Sequence, residues 1–306
     1  MIPLLLSLFK SDYAIADSAP DRDAILALRI GNFRYSYKFL LCLTIAWLCW
    51  EVYDYQLLTT RPAVLYFPEN YLSRFLMPEF PNFILFHSVV LIALACTFLL
   101  FRFSGNILAK IVLSFACLWL NMAQWGWGFF SHVSHVFILA HLLAIFLPFN
   151  HKNKDEELAL YNGIVWYHFG ILFTYLIAGI WKFGGLIYKL VVTPHVITWI
   201  HPDGSWINAY MGYRNNDYTI VNQLMVFEYP LIWQLGFVFI VIVQCFSIFA
   251  AFKISLHGWL MGLIFVFHFI NSYAFCTIFV WQPLVISILF LPYHLVFNFD
   301  TQKIKN

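Results

Sequence analysis

Four polar side chains recur at every seventh position of one apolar segment in this 306-residue sequence. They are Tyr161, His168, Tyr175 and Lys182, and two helical turns separate each from the next, so a helix would carry them on one face. Ionisable groups inside an apolar helix are costly and are functional candidates by default. Lys182 could act as a base, or it could anchor the end of the helix by snorkelling. The spacing alone leaves both interpretations open.

A histidine-rich stretch, SHVSHVFILAH, begins at Ser131. His132 and His135 are three residues apart and share a helical face, whereas His141 points nearly the opposite way. A His-x-x-His pair can bind a metal ion, but the HExxH pattern is absent and no acidic residue lies nearby. We therefore predict no metal site. Structural histidines, or one histidine that transfers a proton, fit this stretch better.

Two further pairs of polar residues lie within or beside apolar segments. His268 and Asn271 share a face in FHFINSYAF, where they could form an intramembrane hydrogen bond or part of a site. Glu51 and Asp54, also three residues apart, come at the end of an apolar segment, and we expect them in the headgroup region. The sequence has no glycine-rich phosphate loop and no GxSxG, so ATP-driven and serine-hydrolase chemistry have no support.

The composition explains why these few polar groups matter. Hydrophobic residues make up 62% of the chain and charged residues only 10%, whereas a soluble domain is about a quarter charged. The surface must therefore face lipid, and the fold class is an all-α, polytopic transmembrane helix bundle. The net charge of +2 and the absence of basic runs argue against nucleic-acid binding.

Segments long enough to span a bilayer need about 20 apolar residues. We predict about eight spans, with seven or nine also open because several turns are short. A polar cytoplasmic leader (1–35) precedes a single transmembrane helical domain (36–299), and a short tail follows (300–306). One substantial outer loop, about 182–228, separates spans five and six. The predicted spans lie near 36–56, 81–101, 107–130, 132–149, 160–181, 229–252, 255–276 and 278–298.

The positions of lysine and arginine predict the orientation, since cytoplasmic loops are enriched in both. With eight spans, twelve of the 17 Lys and Arg residues fall on the side of the N-terminus. This distribution predicts an integral multi-pass membrane protein with both termini in the cytoplasm, in the inner membrane if the source is bacterial. The five basic residues on the other side are Arg61, Arg74, Lys182, Lys189 and Arg214.

Two phrases, FLPFNH (146–151) and FTYLIAGIWKFGG (173–185), resemble the membrane core of the vitamin K-dependent γ-glutamyl carboxylase family. The bacterial HTTM (horizontally transferred transmembrane) family shares that core. Ala178, Gly179 and Lys182 reproduce an Ala-Gly-x-x-Lys helix ending, and Asn150 with His151 matches a short loop. The family's opening histidine falls on His132, or on His135 if the register slips. A later helix phrase is matched by Phe267, His268, Asn271 and Phe275.

The resemblance implies an integral-membrane enzyme that uses vitamin K hydroquinone, or another lipid quinol, to modify a peptide or protein substrate by glutamate carboxylation. Lys182 would be the base that deprotonates the quinol, with His132 assisting. A lysine must be neutral to act as a base, and an apolar surround favours that form. The pocket would be lined by His135, His168, Tyr175, His268 and Asn271.

A second function stays open beside the first. The phrase FGGLIYK (183–189) stands where the family has an acidic residue and a tryptophan after the lysine. The chain could therefore be a non-catalytic membrane subunit that assists the maturation or export of a secreted peptide together with a partner protein. A transporter is less well supported, because the sequence shows neither inverted repeats nor interrupted helices.

Overall fold

The computed structural model describes residues 8–68, 71–127, 134–150, 153–193, 196–215, 228–275 and 279–297. Within these ranges all regular secondary structure is helical, which confirms the all-α fold class. Short 3₁₀ turns connect several of the helices. The α-helices are α1 (Asp12–Ile15), α2 (Ala19–Leu58), α3 (Tyr71–Leu76), α4 (Phe83–Arg102), α5 (Ile107–Trp125), α6 (His135–Ala144), α7 (Lys154–Val192), α8 (Gly204–Asn215), α9 (Pro230–Phe246), α10 (His257–Phe275) and α11 (Trp281–Phe290).

In the described part of the chain, five helical segments are long and apolar enough to cross a membrane: Phe83–Arg102, Ile107–Trp125, Lys154–Val192, Pro230–Ala251 and Ile254–Phe275. Their length and composition are those of a membrane protein. The predicted number of eight spans stays a prediction. The helices α6 and α11 have 10 residues each, or about 15 Å, which is half of a hydrocarbon core of about 30 Å.

The outer surface of these helices is apolar. Trp181 is 81% exposed, and Phe98, Trp166 and Leu235 are also more than half exposed. Soluble monomers rarely expose apolar patches of this extent. The surface is compatible with contact with a lipid bilayer.

Local sequence signals explain where the helices begin. The side chains of Asn82 and Asn106 accept hydrogen bonds from the backbone three residues later, at 2.9 and 3.0 Å. Asn153 does the same for α7 at 2.9 Å, and three acidic residues in the first turn complement the helix dipole. Proline occupies the start of both α2 and α9. Backbone N–H groups in the first turn have no acceptor within the helix, so proline, which lacks this N–H, is tolerated there.

The chain forms two compact units. One comprises residues 17–167 and 291–306 and is called the Glu51 unit below; the other comprises residues 1–16 and 168–290 and is called the Lys182 unit. Helix α7 is one continuous 39-residue helix that contributes residues to both.

In the Glu51 unit, α4 packs on α2 and α5, and α5 packs on α6. Lys110 of α5 is 3% exposed, and its ammonium donates to the Leu147 carbonyl at 2.8 Å. The same ammonium lies 4.3 Å from the ring centroid of Phe149, so a carbonyl and an aromatic face together stabilise the buried cation. These contacts fasten the 146–150 loop to α5.

A polar contact also joins α2 to α6. His141 is buried, and its Nε2 lies 2.9 Å from the hydroxyl oxygen of Thr44, which donates its own proton to the Leu40 carbonyl at 2.8 Å. Because the hydroxyl has a single proton, Nε2 of His141 must carry the hydrogen of the bond between the helices. Trp47 adds a second link, since its indole donates to Ser134 at 3.2 Å. Such bonds join helices in an apolar medium.

In the Lys182 unit, α10 packs against α8 and α11, and α8 also contacts α9. The segment before α2 is held against the turn between α9 and α10. There Asp12 accepts a hydrogen bond from the Ile254 backbone at 2.8 Å and lies 3.6 Å from the Lys253 ammonium. The ring of Phe9 packs on Phe249, with centroids 4.9 Å apart.

An amide clasp holds residues 291–297 on α2 within the Glu51 unit. The side-chain oxygen of Asn32 accepts from the His294 backbone at 2.9 Å, and its nitrogen donates to Nδ1 of His294 at 3.0 Å. This pairing makes Nδ1 the acceptor of the imidazole. The rings of Tyr35 and Phe297 stack nearby, with centroids 5.1 Å apart.

Replacing Asn32 by alanine should therefore loosen the 291–297 segment. Two hydrogen bonds are lost and their partners stay in a half-buried place, so we expect a loss of about 1–3 kcal/mol in the free energy of unfolding. Thermal unfolding in detergent, followed by tryptophan fluorescence, measures the loss. The exposed amide Gln56 on the same helix is the matched control, and an equal effect of Gln56→Ala would contradict the role of the clasp.

Candidate functional site

Lys182 lies inside α7, not at its end. The helix continues to Val192, beyond the span end predicted at residue 181. The Lys182 ammonium donates to the side-chain oxygen of Gln244 on α9 at 2.8 Å, and it lies 5.8 Å from the ring centroid of Phe267 on α10. Gln244 is only 4% exposed. Lys182 therefore contacts two neighbouring helices.

The Lys182 amine forms no ion pair with a carboxylate of the described residues. Ion pairs in that part of the chain join, among others, Lys154 to Asp23, Lys253 to Asp12 and His201 to Asp203. Lys182 takes part in none of these. Its hydrogen-bond acceptor, Gln244, is a neutral amide, so nothing in the described ranges compensates a positive charge on this amine by direct pairing.

Gly179 allows α9 to approach α7 at this point. A Cβ atom at Gly179 would lie 2.8 Å from Sγ of Cys245, 3.0 Å from the Cys245 backbone nitrogen and 3.1 Å from Cβ of Gln244. The contact with Sγ is shorter than real Cβ contacts essentially ever are, the other two are tighter than nine in ten of them, and the backbone nitrogen cannot rotate away. The glycine of the Ala-Gly-x-x-Lys phrase therefore lets Gln244 come close enough to bind the lysine.

Tyr175 and His268 form a second polar contact between α7 and α10. The Tyr175 hydroxyl and Nε2 of His268 are 3.2 Å apart, and both side chains are 5% exposed. The other imidazole nitrogen, Nδ1, is buried and has no hydrogen-bond partner among the described residues. Phe267 connects this pair to Lys182, because its ring centroid is 5.0 Å from that of His268. His268 is also close enough to Lys182 for electrostatic interaction.

The polar side chains that recur every seventh residue along α7 therefore do not all contact the same partners. Tyr175 and Lys182 belong to one group, but His168 contacts His257 and Phe290, with ring centroids 5.1 and 4.8 Å apart. His168 precedes Lys182 by 14 residues, or about 21 Å along the helix axis. His257 donates from Nε2 to the Ala250 carbonyl at 2.9 Å. The histidine pair is a separate buried cluster of the Lys182 unit.

The remaining predicted site residues are His132, His135 and Asn271. His132 lies outside the described residues, as does His151. His135 begins α6 in the Glu51 unit and packs edge-on against Trp125, with centroids 6.2 Å apart. Asn271 is half-buried on α10 and forms no side-chain hydrogen bond to a described residue.

Gln244 and Cys245 were not predicted as site residues. Both come at the end of α9, and Gln244 is one of two glutamines in a helix that is otherwise apolar. An amide in such a helix signals a partner on a neighbouring helix, but the sequence does not reveal which one. Its lysine partner lies 62 positions earlier in the chain.

Within the described ranges, no group of three or more His, Cys, Asp and Glu side chains is placed to hold a metal ion. Comparison of the chain with protein-family models, with curated proteins and with solved structures finds no match.

Replacing Gly179 by alanine should push α9 away from α7. The added methyl group meets backbone and sulfur atoms, and overpacking of this kind costs about 1–3 kcal/mol. We expect a lower midpoint of thermal unfolding, measured by circular dichroism in detergent. Gly184→Ala is the matched control, because a Cβ atom there meets nothing within 4 Å and alanine favours the helix.

The combination Gly179→Ala with Cys245→Ala should recover part of the loss, since it removes the sulfur but leaves the backbone contact. A Gly179→Ala variant as stable as Gly184→Ala would show that α9 and α7 do not approach closely at this position.

Proposed function

We propose that the chain is an integral-membrane, carboxylase-like enzyme of the HTTM type, in which Lys182 is the base that acts on a lipid quinol. The observation that carries the proposal is the state of the Lys182 amine. It is held by a buried neutral amide, it lacks a carboxylate partner among the described residues, and it neighbours a buried histidine nitrogen without a described partner.

The side chains around Lys182 fit an aromatic diol. Phe267 offers an aromatic face, and two polar atoms, Nζ of Lys182 and Nδ1 of His268, could each bind a hydroxyl group. Gln244 keeps the amine in place. When bound, a reduced lipid quinone such as vitamin K hydroquinone would supply the reducing power for the modification of a peptide glutamate.

A neutral lysine amine in this place has the atoms that a base needs. It carries two N–H groups and one lone pair, and one N–H group is used by the Gln244 oxygen. The lone pair can then accept a proton from a hydroxyl group. An amide acceptor serves both forms of the lysine, because it binds an N–H of the amine as well as one of the ammonium. A carboxylate would instead hold the lysine as the ammonium.

His268 can accept a proton from a second hydroxyl group of the quinol. Nε2 is bound to the Tyr175 hydroxyl and Nδ1 is the side without a described partner. When Nε2 carries its hydrogen and donates it to the Tyr175 oxygen, the lone pair of Nδ1 can take the hydroxyl proton, and the imidazole becomes an imidazolium held by Tyr175.

A lipid-soluble substrate would enter from the side. Ile180, Trp181 and Phe183 flank Lys182 on α7, and each is more than half exposed. These side chains suit lipid tails, so a quinol dissolved in the bilayer can approach the lysine without crossing water.

The orientation proposed for this enzyme has both termini in the cytoplasm of a bacterial inner membrane. It rests on the distribution of lysine and arginine along the sequence, whereas two contacts within the Lys182 unit bear only on the order of the spans. His168 meets His257 and Tyr175 meets His268, so α7 and α10 run in the same direction. That is the arrangement expected of spans five and seven.

Lys182→Met should abolish most of the activity, because methionine keeps the bulk of the side chain and removes the amine. General acid–base catalysis contributes about 10²–10⁴-fold, and we expect a loss in that range. The protein in nanodiscs is given vitamin K hydroquinone, oxygen, ¹³C-bicarbonate and glutamate-containing peptides that copurify from native membrane. Mass spectrometry then detects the added carbon dioxide.

Lys189→Met is the matched control, since Lys189 is an exposed lysine two turns further along the same helix. Full activity in Lys182→Met would refute the assignment of the base. If the wild type binds a secreted peptide in a stable complex but modifies none, the non-catalytic subunit is the better description.

Gln244→Glu gives an independent test of the same amine. A carboxylate in place of the amide oxygen, which lies 2.8 Å from Nζ, should pair with Lys182 and keep it protonated. We expect this variant to fold and to bind quinol but to lose activity like Lys182→Met. Quinol binding, followed by quenching of tryptophan fluorescence, separates the loss of chemistry from a loss of binding.

A further inference from the structure

Two acidic side chains of the Glu51 unit share one hydrogen-bond donor. Glu51 and Asp54 are one turn apart on α2, and the side-chain nitrogen of Gln124 on α5 reaches both. It lies 3.1 and 3.2 Å from the two Glu51 carboxyl oxygens and 3.0 Å from Oδ2 of Asp54. Glu51 is 2% exposed and Asp54 is half-buried. Glu51 thus lies inside the protein, whereas the sequence led us to expect it in the headgroup region.

Within the described residues, this cluster is not paired with a positive charge. No lysine, arginine or histidine among the described residues forms an ion pair with Glu51 or Asp54. Two carboxylates that share a site repel each other, and the buried one has lost its water. The Gln124 amide, and the Trp50 indole that also donates to Asp54, are neutral and cannot balance two negative charges. The cluster therefore requires a positive charge that the described residues do not supply by ion pairing, and a proton or a metal cation could provide it.

A second observation points to a bound species at the same place. Asn121 is 2% exposed, and its side-chain nitrogen has no partner among the described residues. Cys117, Asn121 and Gln124 lie four and three positions apart on α5, so they share a face. Cys117 is close enough to Glu51 for electrostatic interaction, and Gln124 binds it directly. Asn121, between them, therefore faces the cluster, and its N–H requires an acceptor such as a buried water molecule.

We propose that Glu51, Asp54 and Gln124 form a proton-binding site, in which the two carboxyl groups share one proton and Asn121 holds a water molecule beside them. Gln124 favours a proton over a metal cation, because it directs its donor nitrogen towards the carboxyl groups. A metal cation would need the amide oxygen there. The described residues also contain no third carboxylate, histidine or cysteine placed to complete a metal site.

A proton from solution reaches this site through Asp54. It is half-buried and one turn nearer than Glu51 to the end of α2. A proton from water binds first to an Asp54 oxygen. When it moves inward, the O–H bond at Asp54 breaks as an O–H bond forms at Glu51, and the negative charge passes to Asp54. Gln124 can donate to whichever carboxyl group is ionised.

The other titratable groups around the pair supply no compensating charge. Cys117 of α5 and Cys96 of α4 are thiols. Tyr55 follows Asp54 on α2 and donates its hydroxyl proton to a backbone carbonyl at 3.0 Å. His87 of α4 packs edge-on against the Tyr55 ring, and its Nδ1 binds the Phe83 carbonyl at 2.8 Å. The proton is therefore the charge that the carboxyl pair takes from solution.

Infrared difference spectroscopy of the full chain in nanodiscs tests the site directly, because a protonated carboxyl group has its own carbonyl band. In sodium-free choline buffer at neutral pH, we expect such a band in the wild type. Glu51→Gln should abolish it, and Asp54→Asn should shift its frequency by changing the partner of the proton. Glu79→Gln, which alters an exposed glutamate of the same unit, should leave it unchanged.

The other results overturn the proposal. A band that survives Glu51→Gln belongs to another residue. A wild type without the band, whose thermal midpoint rises on addition of sodium while that of Glu51→Gln does not, has a cation site instead. If Glu51→Gln does not fold by circular dichroism, the Asp54→Asn spectrum decides, and a band identical to that of the wild type refutes the shared proton.

Discussion

A polar side chain in an apolar medium must find its partner within the protein, and this constraint organises every buried polar contact described above. Lipid offers no hydrogen bonds, so each unsatisfied donor or acceptor costs several kcal/mol. Lys110 contacts a carbonyl oxygen and a phenyl ring. His141 is hydrogen-bonded to a threonine, and Lys182 to a glutamine. In each case the partner lies outside the helix that carries the polar residue. The polar residues thereby join helices that apolar packing alone would not hold in one register.

The sequence predicted the helices well because their signals are local. Apolar runs, asparagine caps and proline starts define most of α2, α4, α5, α7, α9 and α10. The ends of the helices were less predictable, and α7 shows why. Its apolar character continues beyond Lys182, so the charge of that lysine suggested a boundary where the backbone has none. A partner on another helix removes the need for a boundary, and local patterns contain no information on that partner.

The candidate site was predictable only in part for the same reason. The heptad spacing identified Tyr175 and Lys182 correctly as residues of one face, and FHFINSYAF contained the His268 that Tyr175 meets. It also suggested that His168 belongs with them, yet His168 pairs with His257. A common face ensures a common direction, but on a helix of 39 residues it does not ensure a common site. Gln244, Gln124 and Asn121 were missed because an amide shows its importance only through its contacts.

The two consecutive glycines after Lys182 have a consequence for the energetics of α7. Glycine weakens a helix by about 1 kcal/mol relative to alanine, and no side chain packs at Gly184 or Gly185 to offset that cost. The backbone of α7 is therefore intrinsically weakest directly after the residue on which the proposed chemistry depends. The helix on the other side of Lys182 is anchored by the contact of Gly179 with α9. Lys182 thus lies between a glycine that contacts α9 and two glycines that add no such contact.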